Sequence, residues 1–170
     1  MPDISQLSAQ LSHSKVSNRS KAAEQLARLG MEARGAAVPL VRAVADEDES
    51  VREWAAAALE ELGAPSPEDA TALASLLNAN QTDTAYWAAT LLGRLEDKAA
   101  GAVPAITAAL QQSPHRAVRE RAAWALGQIG VSTPTTVDAL RQAAAEEPRL
   151  ARLARLAQAA LQRLTGPERD

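Results

Sequence analysis

The chain has 170 residues, of which 46% are hydrophobic, and it contains no Phe, no Cys, three Trp and one Tyr. Without cysteine it forms neither disulfides nor thiolate zinc sites, and its formal net charge of −3 lacks the global basic field typical of nucleic-acid-binding domains. Alanine and leucine, which head the ranking of helix propensity, supply much of the apolar content. The composition therefore predicts one all-α domain, residues 1–170.

The amino-terminal segment MPDISQLSAQLSHSK has no basic region followed by an apolar run, so it predicts no signal peptide. Nowhere does the sequence approach the about 18 consecutive apolar residues of a membrane span. We therefore expect a cytoplasmic protein that does not bind a membrane.

A motif of thirteen residues recurs five times, and its last position is usually glycine. In chain order the copies read NRSKAAEQLARLG, VREWAAAALEELG, TAYWAATLLGRLE, VRERAAWALGQIG and LARLAQAALQRLT. Their last residues are spaced by 33, 33, 34 and 35 positions: Gly30, Gly63, Glu96, Gly130 and Thr165. A fixed period of this length indicates a repeat architecture.

Three apolar columns run through all five copies at the spacing i, i+4, i+7, which is one face of an α-helix. The first column is alanine throughout: Ala22, Ala55, Ala88, Ala122 and Ala157. The other two columns are large and aliphatic: Leu26, Leu59, Leu92, Leu126 and Leu161, then Leu29, Leu62, Leu95, Ile129 and Leu164. The small residue allows another backbone to approach, and the large ones fill the space between layers.

An upstream amphipathic segment precedes each copy, and prolines lie near the starts of four of these segments. Thr133-Pro134 has the pattern of an N-cap followed by proline in the first turn. Each unit is therefore a helix, a turn and a second helix. The predicted repeats are residues 1–34, 35–65, 66–99, 100–131 and 132–166. Stacked side by side, they predict a right-handed α-solenoid of about ten helices.

Two of these units, Gly35–Gly63 and Gly101–Gly130, are nearly complete copies of a known pattern. Each contains AVP in its first helix and Val-Arg at the start of its second, and both resemble HEAT-like repeats of the phycobilisome-lyase kind. The resemblance covers essentially the whole chain, although the third copy has Thr84-Ala85 in place of Val-Arg. It implies that the second helices line a concave surface.

The arginine of the Val-Arg pair recurs as Arg19, Arg52 and Arg119. We expect it to pair with an acid or carbonyl of a turn rather than to bind an external anion, and the resemblance implies the same structural role. The acidic run at residues 46–49 lacks the glycine and spaced oxygens of a calcium loop. It is better explained as negative charge ahead of a helix N-terminus.

Features of an enzyme are missing from the sequence. His13 and His115 lie in turns three unit joints apart, and neither forms a His-Glu pair of the kind with which deoxyhypusine hydroxylase, a HEAT-like enzyme, binds iron. No phosphate-binding glycine loop and no GxSxG nucleophile motif are present. We expect a non-catalytic protein with no cofactor and no metal.

The aromatic residues suggest a binding surface. On a helical wheel centred on the alanine column, Trp54 and Trp87 lie at the flank, where we expect them to pack against a neighbouring repeat. Tyr86 and Trp124 lie near the opposite side, so truncating Trp124 should cost little stability. Small residues accompany these two on the predicted concave wall: Ala57, Gly93 and Gly127. Together they predict a partly apolar groove.

Arginines form a stripe on the last helix, opposite its leucine face: Arg149, Arg152, Arg155 and Arg163. They could bind an acidic partner or phosphates, or simply form the solvated face of the helix. Charge is also uneven along the chain: residues 37–68 contain two Arg and eight acids, whereas residues 102–134 contain three Arg and one Glu. This polarity could orient a partner.

The sequence thus predicts a protein-binding module or scaffold, monomeric or weakly oligomeric, that holds a protein segment or peptide on its concave face. The predicted contact residues are Trp54, Tyr86, Trp87, Trp124, Arg121 and Arg155. One alternative is nucleic-acid binding in a basic groove, as in the DNA-alkylation-repeat glycosylases, although the acidic second repeat would interrupt the positive track. The other, by resemblance, is an accessory subunit of a bilin lyase or isomerase.

Overall fold

The computed structural model describes residues 3–145 and 151–166. Within these ranges the chain is built from α-helices and short 3-10 segments, without strands, which confirms the all-α prediction. The helices are α1 (Ile4–Gln10), α2 (Val16–Leu29), α3 (Ala37–Ala43), α4 (Glu49–Glu61), α5 (Ala70–Leu76), α6 (Thr82–Arg94), α7 (Val103–Gln112), α8 (Arg116–Ile129), α9 (Pro134–Ala144) and α10 (Ala151–Thr165). The 3-10 segments are Gly30–Ala36, Pro67–Asp69 and Glu96–Ala102.

The chain divides into two compact units, Met1–Asp69 and Ala70–Asp170. In the first unit, α1 pairs with α2 and α3 pairs with α4, and the two long second helices, α2 and α4, pack side by side. A helical hairpin cannot bury its apolar stripe alone, so it is this side-by-side packing that completes the core.

The second unit contains three hairpins, α5–α6, α7–α8 and α9–α10, arranged in two layers. The first-helix layer consists of α5, α7 and α9, and in it the buried hydroxyls of Thr107 and Thr136 lie 3.2 Å apart. The second-helix layer consists of α6, α8 and α10, with α8 packed against both others. Thr133 caps α9 as predicted, because its hydroxyl accepts a hydrogen bond from the Thr136 amide at 3.1 Å.

The core follows the three predicted columns. Every alanine of the first column has 0% of its surface exposed: Ala22, Ala55, Ala88, Ala122 and Ala157. The leucines of the inner copies are also buried, whereas Leu29, Leu161 and Leu164 of the first and last copies are half-buried. The handedness of the stack and the single domain over residues 1–170 stay predictions.

The last position of the motif has a positive φ in four copies. Gly30, Gly63 and Gly130 have φ of 52°, 72° and 77°, and Glu96 takes φ of 53° at the same position. A side chain is disfavoured in this left-handed region, which glycine enters freely. The repeat therefore imposes its turn on Glu96, and the alignment of Glu96 with the glycines is correct.

Glu96→Gly should raise the free energy of unfolding by about 0.5–1 kcal/mol. Relief of the left-handed penalty is worth about 1–2 kcal/mol, and the extra freedom of glycine in the unfolded chain offsets part of it. Gly130→Ala is the matched opposite change, because a Cβ there meets no atom within 4 Å and only the backbone conformation is strained. It should lower stability by about 1 kcal/mol. Urea unfolding of both variants tests this, and shifts of the same sign would contradict it.

Candidate functional site

Five of the six predicted contact residues lie on the second-helix layer of the second unit. Tyr86 and Trp87 belong to α6, Arg121 and Trp124 to α8, and Arg155 to α10, where it is exposed. Trp54, the sixth, lies on α4 in the first unit with 38% of its surface exposed, although we expected it to be covered by a neighbouring repeat.

Arg121 lies between two aromatic rings. Its guanidinium carbon is 4.7 Å from the centroid of the Tyr86 ring and 5.0 Å from that of Trp124. Its Nη2 also donates a hydrogen bond to the hydroxyl of Tyr86. Both ring contacts are within the range of cation–π attraction, and together they hold the guanidinium between α6 and α8. Helical spacing alone did not reveal this three-residue cluster.

Trp124 is half-buried rather than outward-facing, which corrects the prediction from the helical wheel. Its indole covers Gly93 of α6: a Cβ added at Gly93 would overlap Cζ3 of Trp124 and lie 3.1 Å from Cα of Ala125. Gly127 is likewise buried in a helix contact, since a Cβ there would lie 3.0 Å from Cα of Ala160. These two glycines are close-packing positions between helices rather than open groove wall.

Trp87 is half-buried beside its neighbour in sequence. Its ring meets Tyr86 edge to face, with centroids 5.7 Å apart and planes at 88°. The guanidinium of Arg94 lies 6.0 Å from the Trp87 centroid. Both of these contacts are with residues of α6 itself.

Two cavities open on this surface on either side of Trp124 and Leu156. The first, of about 200 Å³, is also lined by Tyr86, Arg121 and Arg152. The second, of about 180 Å³, is mainly apolar. Besides the two shared side chains its lining consists of Gly127, Gln128, Ala159, Ala160 and Arg163. We call the surface formed by these two cavities the second-helix face.

A buried carboxylate joins α8 to α10. Glu120 is 7% exposed, and its Oε1 accepts a hydrogen bond from Nε of Arg116 at 2.7 Å. Its Oε2 lies 3.3 Å from Nε of Arg152 on α10. Glu120 occupies the motif position that Tyr86 has in the third copy, which the helical wheel places opposite the alanine column. The bridge was missed because a helical wheel gives a direction but not the neighbour found there.

One arginine of the stripe on α10 is thus already engaged in an ion pair. The side chain of Arg152 is 64% exposed although it pairs with Glu120, and Arg155 and Arg163 are exposed. Arg149, the fourth member, lies outside the described residues.

The recurring Val-Arg arginine is structural, as expected. Arg19 is buried, and its Nε and Nη2 donate to the two carboxylate oxygens of Asp46 at 2.7 and 2.9 Å. Its Nη1 donates to the carbonyl of His13 at 3.0 Å. Arg52 donates to the carbonyl of Asp46 at 2.8 Å, and Arg119 to that of Leu110 at 2.8 Å. Each arginine thus ties a second helix to the turn before it or, for Arg119, to the last part of α7.

The acidic run has two separate local roles. Asp48 caps α4 by accepting a hydrogen bond from the amide of Val51 at 3.2 Å, as the predicted charge ahead of a helix would. Asp46 instead pairs with Arg19. In the described part of the chain, no cluster of three or more acidic or histidine side chains could hold a metal ion. The described helices also include none with the length and apolarity needed to cross a membrane.

Comparisons with known proteins agree with this architecture. A family model of HEAT repeats matches residues 4–85 and 71–162. No curated protein matches the chain. Among solved structures, the complex of CpcE and CpcF of phycocyanin lyase from Nostoc sp. PCC7120 is similar with a TM-score of 0.66 and 22% identity, over 97% of this chain and 66% of that chain.

Two artificial proteins are similar to the same degree. An engineered protein gives a TM-score of 0.63 at 22% identity, over 96% of this chain and 80% of its own. A computationally designed armadillo repeat protein for modular peptide recognition gives 0.62 at 19% identity, over 94% and 81%. At such identities the likeness shows the fold, which is that of a helical repeat protein.

Gly93 and Trp124 should be energetically coupled. Gly93→Ala should destabilise the protein by up to about 2 kcal/mol, because overpacking of about 1–3 kcal/mol exceeds the gain of about 1 kcal/mol in helix propensity. Trp124→Ala should cost about 2 kcal/mol, less than the about 3–5 kcal/mol of a fully buried aromatic. In the double variant the cost of Gly93→Ala should fall by about 1 kcal/mol or more.

Urea unfolding of the four proteins in this cycle measures the coupling. Gly101→Ala is the control, because a Cβ at Gly101 meets no atom within 4 Å and the substitution should be close to neutral. Additive effects of Gly93→Ala and Trp124→Ala would show that the indole does not occupy the space above Gly93.

The ion pair of Arg19 and Asp46 should make stability depend on acid. Burial alone raises the pKa of Asp46, but hydrogen bonds from Arg19 and the Asp48 amide, with the charges of Arg19 and Arg52, bring that pKa below its ordinary value of 3.8. A lowered folded-state pKa means that the contribution is present above about pH 4 and is lost as pH falls through the folded-state value.

Asp46→Asn should therefore lower the urea midpoint at pH 7, and its difference from the wild type should shrink at pH 3 and below. Asp138→Asn is the control, since Asp138 and its partner Arg141 are 67% and 66% exposed and an exposed pair contributes little. A difference for Asp46→Asn that does not change with pH would contradict the assignment.

Proposed function

The chain belongs to the HEAT repeat family, and on that premise we propose that it is a non-catalytic protein-binding module that holds a peptide segment on its second-helix face. The observation that supports this most directly is the cluster of Tyr86, Arg121 and Trp124 beside two open cavities. Tryptophan, tyrosine and arginine are the residue types most enriched among the energetic hot spots of protein interfaces.

The geometry of the face suits a side chain rather than a small metabolite. Each cavity is of about 180–200 Å³, smaller than the about 300–1,000 Å³ of typical small-molecule sites, and both are open to solvent along the surface of α8. Two such cavities side by side are suited to neighbouring side chains of one peptide. The designed armadillo protein of similar fold was made for peptide recognition, which shows that stacked helical repeats can present such a surface.

Nucleic-acid binding is supported less well. Proteins that bind single strands stack bases on free aromatic faces. Here the guanidinium of Arg121 lies against both Tyr86 and Trp124, and the Trp124 indole also covers Gly93, so much of the ring surface is already used.

The remaining parts of the proposal concern chemistry, compartment and assembly. We propose no catalytic activity, and the likeness to the phycocyanin lyase complex supports the fold alone. A chain without cysteine is well suited to a reducing compartment, and we place it in the cytoplasm as a monomer or weak oligomer.

Site-specific photo-crosslinking in cells that carry the native protein tests this proposal. A photoreactive residue replaces Gln128, which lines the apolar cavity, or Gln142, an exposed glutamine on α9 in the first-helix layer. We expect a protein adduct from position 128 that is absent from position 142, identified by mass spectrometry. Equal labelling at both positions, or an adduct that nuclease removes, would contradict peptide binding on the second-helix face.

A further inference from the structure

We propose, on the basis of the proposed function, that the peptide bound by the second-helix face is acidic and carries an apolar side chain next to its carboxylates. Arg121 receives one carboxylate, and the apolar side chain enters the cavity beside Gly127 and Ala160. The argument rests on three features of the face: a preorganised guanidinium, an apolar cavity next to it and an excess of arginine around both.

Arg121 is built as a carboxylate receptor. The rings of Tyr86 and Trp124 hold its guanidinium at 4.7 and 5.0 Å, and the Tyr86 hydroxyl accepts a hydrogen bond from one nitrogen. No other acceptor for Arg121 is found among the described side chains and carbonyls, so the remaining N–H groups of its planar fork are available to the cavity that it lines. A guanidinium already fixed in place loses little entropy when it forms paired hydrogen bonds with a carboxylate.

The adjoining cavity is matched to an aliphatic or aromatic side chain. Its lining includes a close contact between α8 and α10, where a Cβ added at Gly127 would lie 3.0 Å from Cα of Ala160. Trp124 and Leu156 form the wall that this cavity shares with the Arg121 cavity. An apolar group next to a carboxylate group in the partner would therefore fill both cavities at once.

The excess of arginine around the two cavities favours an acidic partner. The charged residues that line the two cavities are Arg121, Arg152, Arg163 and Glu120. The single carboxylate is already compensated by Arg116 and Arg152, so the face is positive although the chain as a whole has a net charge of −3. Exposed Arg155 adds a further positive charge on α10.

The spacing of the arginines suggests the length of the peptide. Arg152 and Arg163 are 11 positions apart on α10, which corresponds to about 16 Å at 1.5 Å per residue. An extended strand covers that distance in about five residues. The fitting segment thus has acidic residues near both ends and an apolar residue between them.

Selection from a random twelve-residue phage-display library on the immobilised full chain tests the inference. We expect enriched peptides with Asp or Glu flanking a Leu, Ile, Met or Phe. A synthetic, fluorescein-labelled copy of the leading peptide is then measured by fluorescence anisotropy. Replacing its acids by Gln or Asn should weaken binding at least about tenfold, and raising the salt concentration should weaken it further.

Variants of the protein locate the effect. Arg121→Gln should weaken binding of the acidic peptide at least about tenfold, the size expected for a lost charged hydrogen bond, and should bring its affinity close to that for the Gln/Asn peptide. If Arg121→Gln impairs folding, Arg155→Gln repeats the test at an exposed position. It should weaken binding of the acidic peptide about threefold or more. Arg141→Gln, an exposed arginine of α9, is the matched control and should stay within about twofold.

The outcomes separate this inference from the proposed function. Enriched peptides that need Tyr86 and Trp124 but are neutral or basic would overturn the acidic partner and leave peptide binding intact. Absence of any enriched peptide, or binding unaffected by Tyr86→Ala and Trp124→Ala, would overturn both. Binding of a labelled 20-nucleotide DNA strand that is lost in Arg121→Gln, without peptide binding, would identify the face as a nucleic-acid site instead.

Discussion

The close approach of neighbouring second helices is the constraint on which the rest of this structure depends. Small side chains make such an approach possible, and one position in each second helix is a fully buried alanine: Ala22, Ala55, Ala88, Ala122 and Ala157. Glycine shows the contact directly: a Cβ added at Gly93 would lie 3.1 Å from Cα of Ala125, and one at Gly127 would lie 3.0 Å from Cα of Ala160. In a core that is close-packed, a larger side chain at such a position has no space to enter. These contacts also limit the space left for the surrounding side chains, including those of the second-helix face.

The candidate site follows from a local exception to this repeat. Gly93 leaves a gap on α6, and Trp124 of α8 fills it by lying across the helix contact instead of pointing into solvent. In that position the indole contacts the guanidinium of Arg121, which also contacts the Tyr86 ring. The residues that would contact a partner in the proposed function therefore also hold α6 against α8. Glu120 of α8, which pairs with Arg116 on its own helix, also pairs with Arg152 and so links α8 to α10.

How far the sequence predicted this structure depends on the range of each interaction. Periodicity predicted the helix type, the repeat register and the buried columns, because these depend on spacing within one helix. It even aligned Glu96 with the motif glycines, although glutamate gives no hint of a positive φ. The predicted orientation of Trp124 was wrong, and the bridge formed by Glu120 was missed. Both depend on which residue a neighbouring helix places opposite them. The structural role predicted for the recurring arginine was correct, since a buried cation needs an acid or carbonyl partner. The turn before α4 supplies Asp46 to Arg19, and the end of α7 supplies the carbonyl of Leu110 to Arg119.

Because residues of both α8 and α10 line the second-helix face, ligand binding there would affect the stability of the fifth repeat. One wall of each cavity belongs to the last helix of the described chain, which packs against α8 and α9. In arrays of this type the stability of each repeat depends on its interfaces with its nearest neighbours, and a repeat can open locally without global unfolding. A ligand that bridges α8 and α10 binds only when α10 is docked, and mass action then favours the docked state. Occupancy of the face by the proposed peptide would therefore slow amide hydrogen exchange along α10, because binding and the docking of this helix onto α8 are thermodynamically linked.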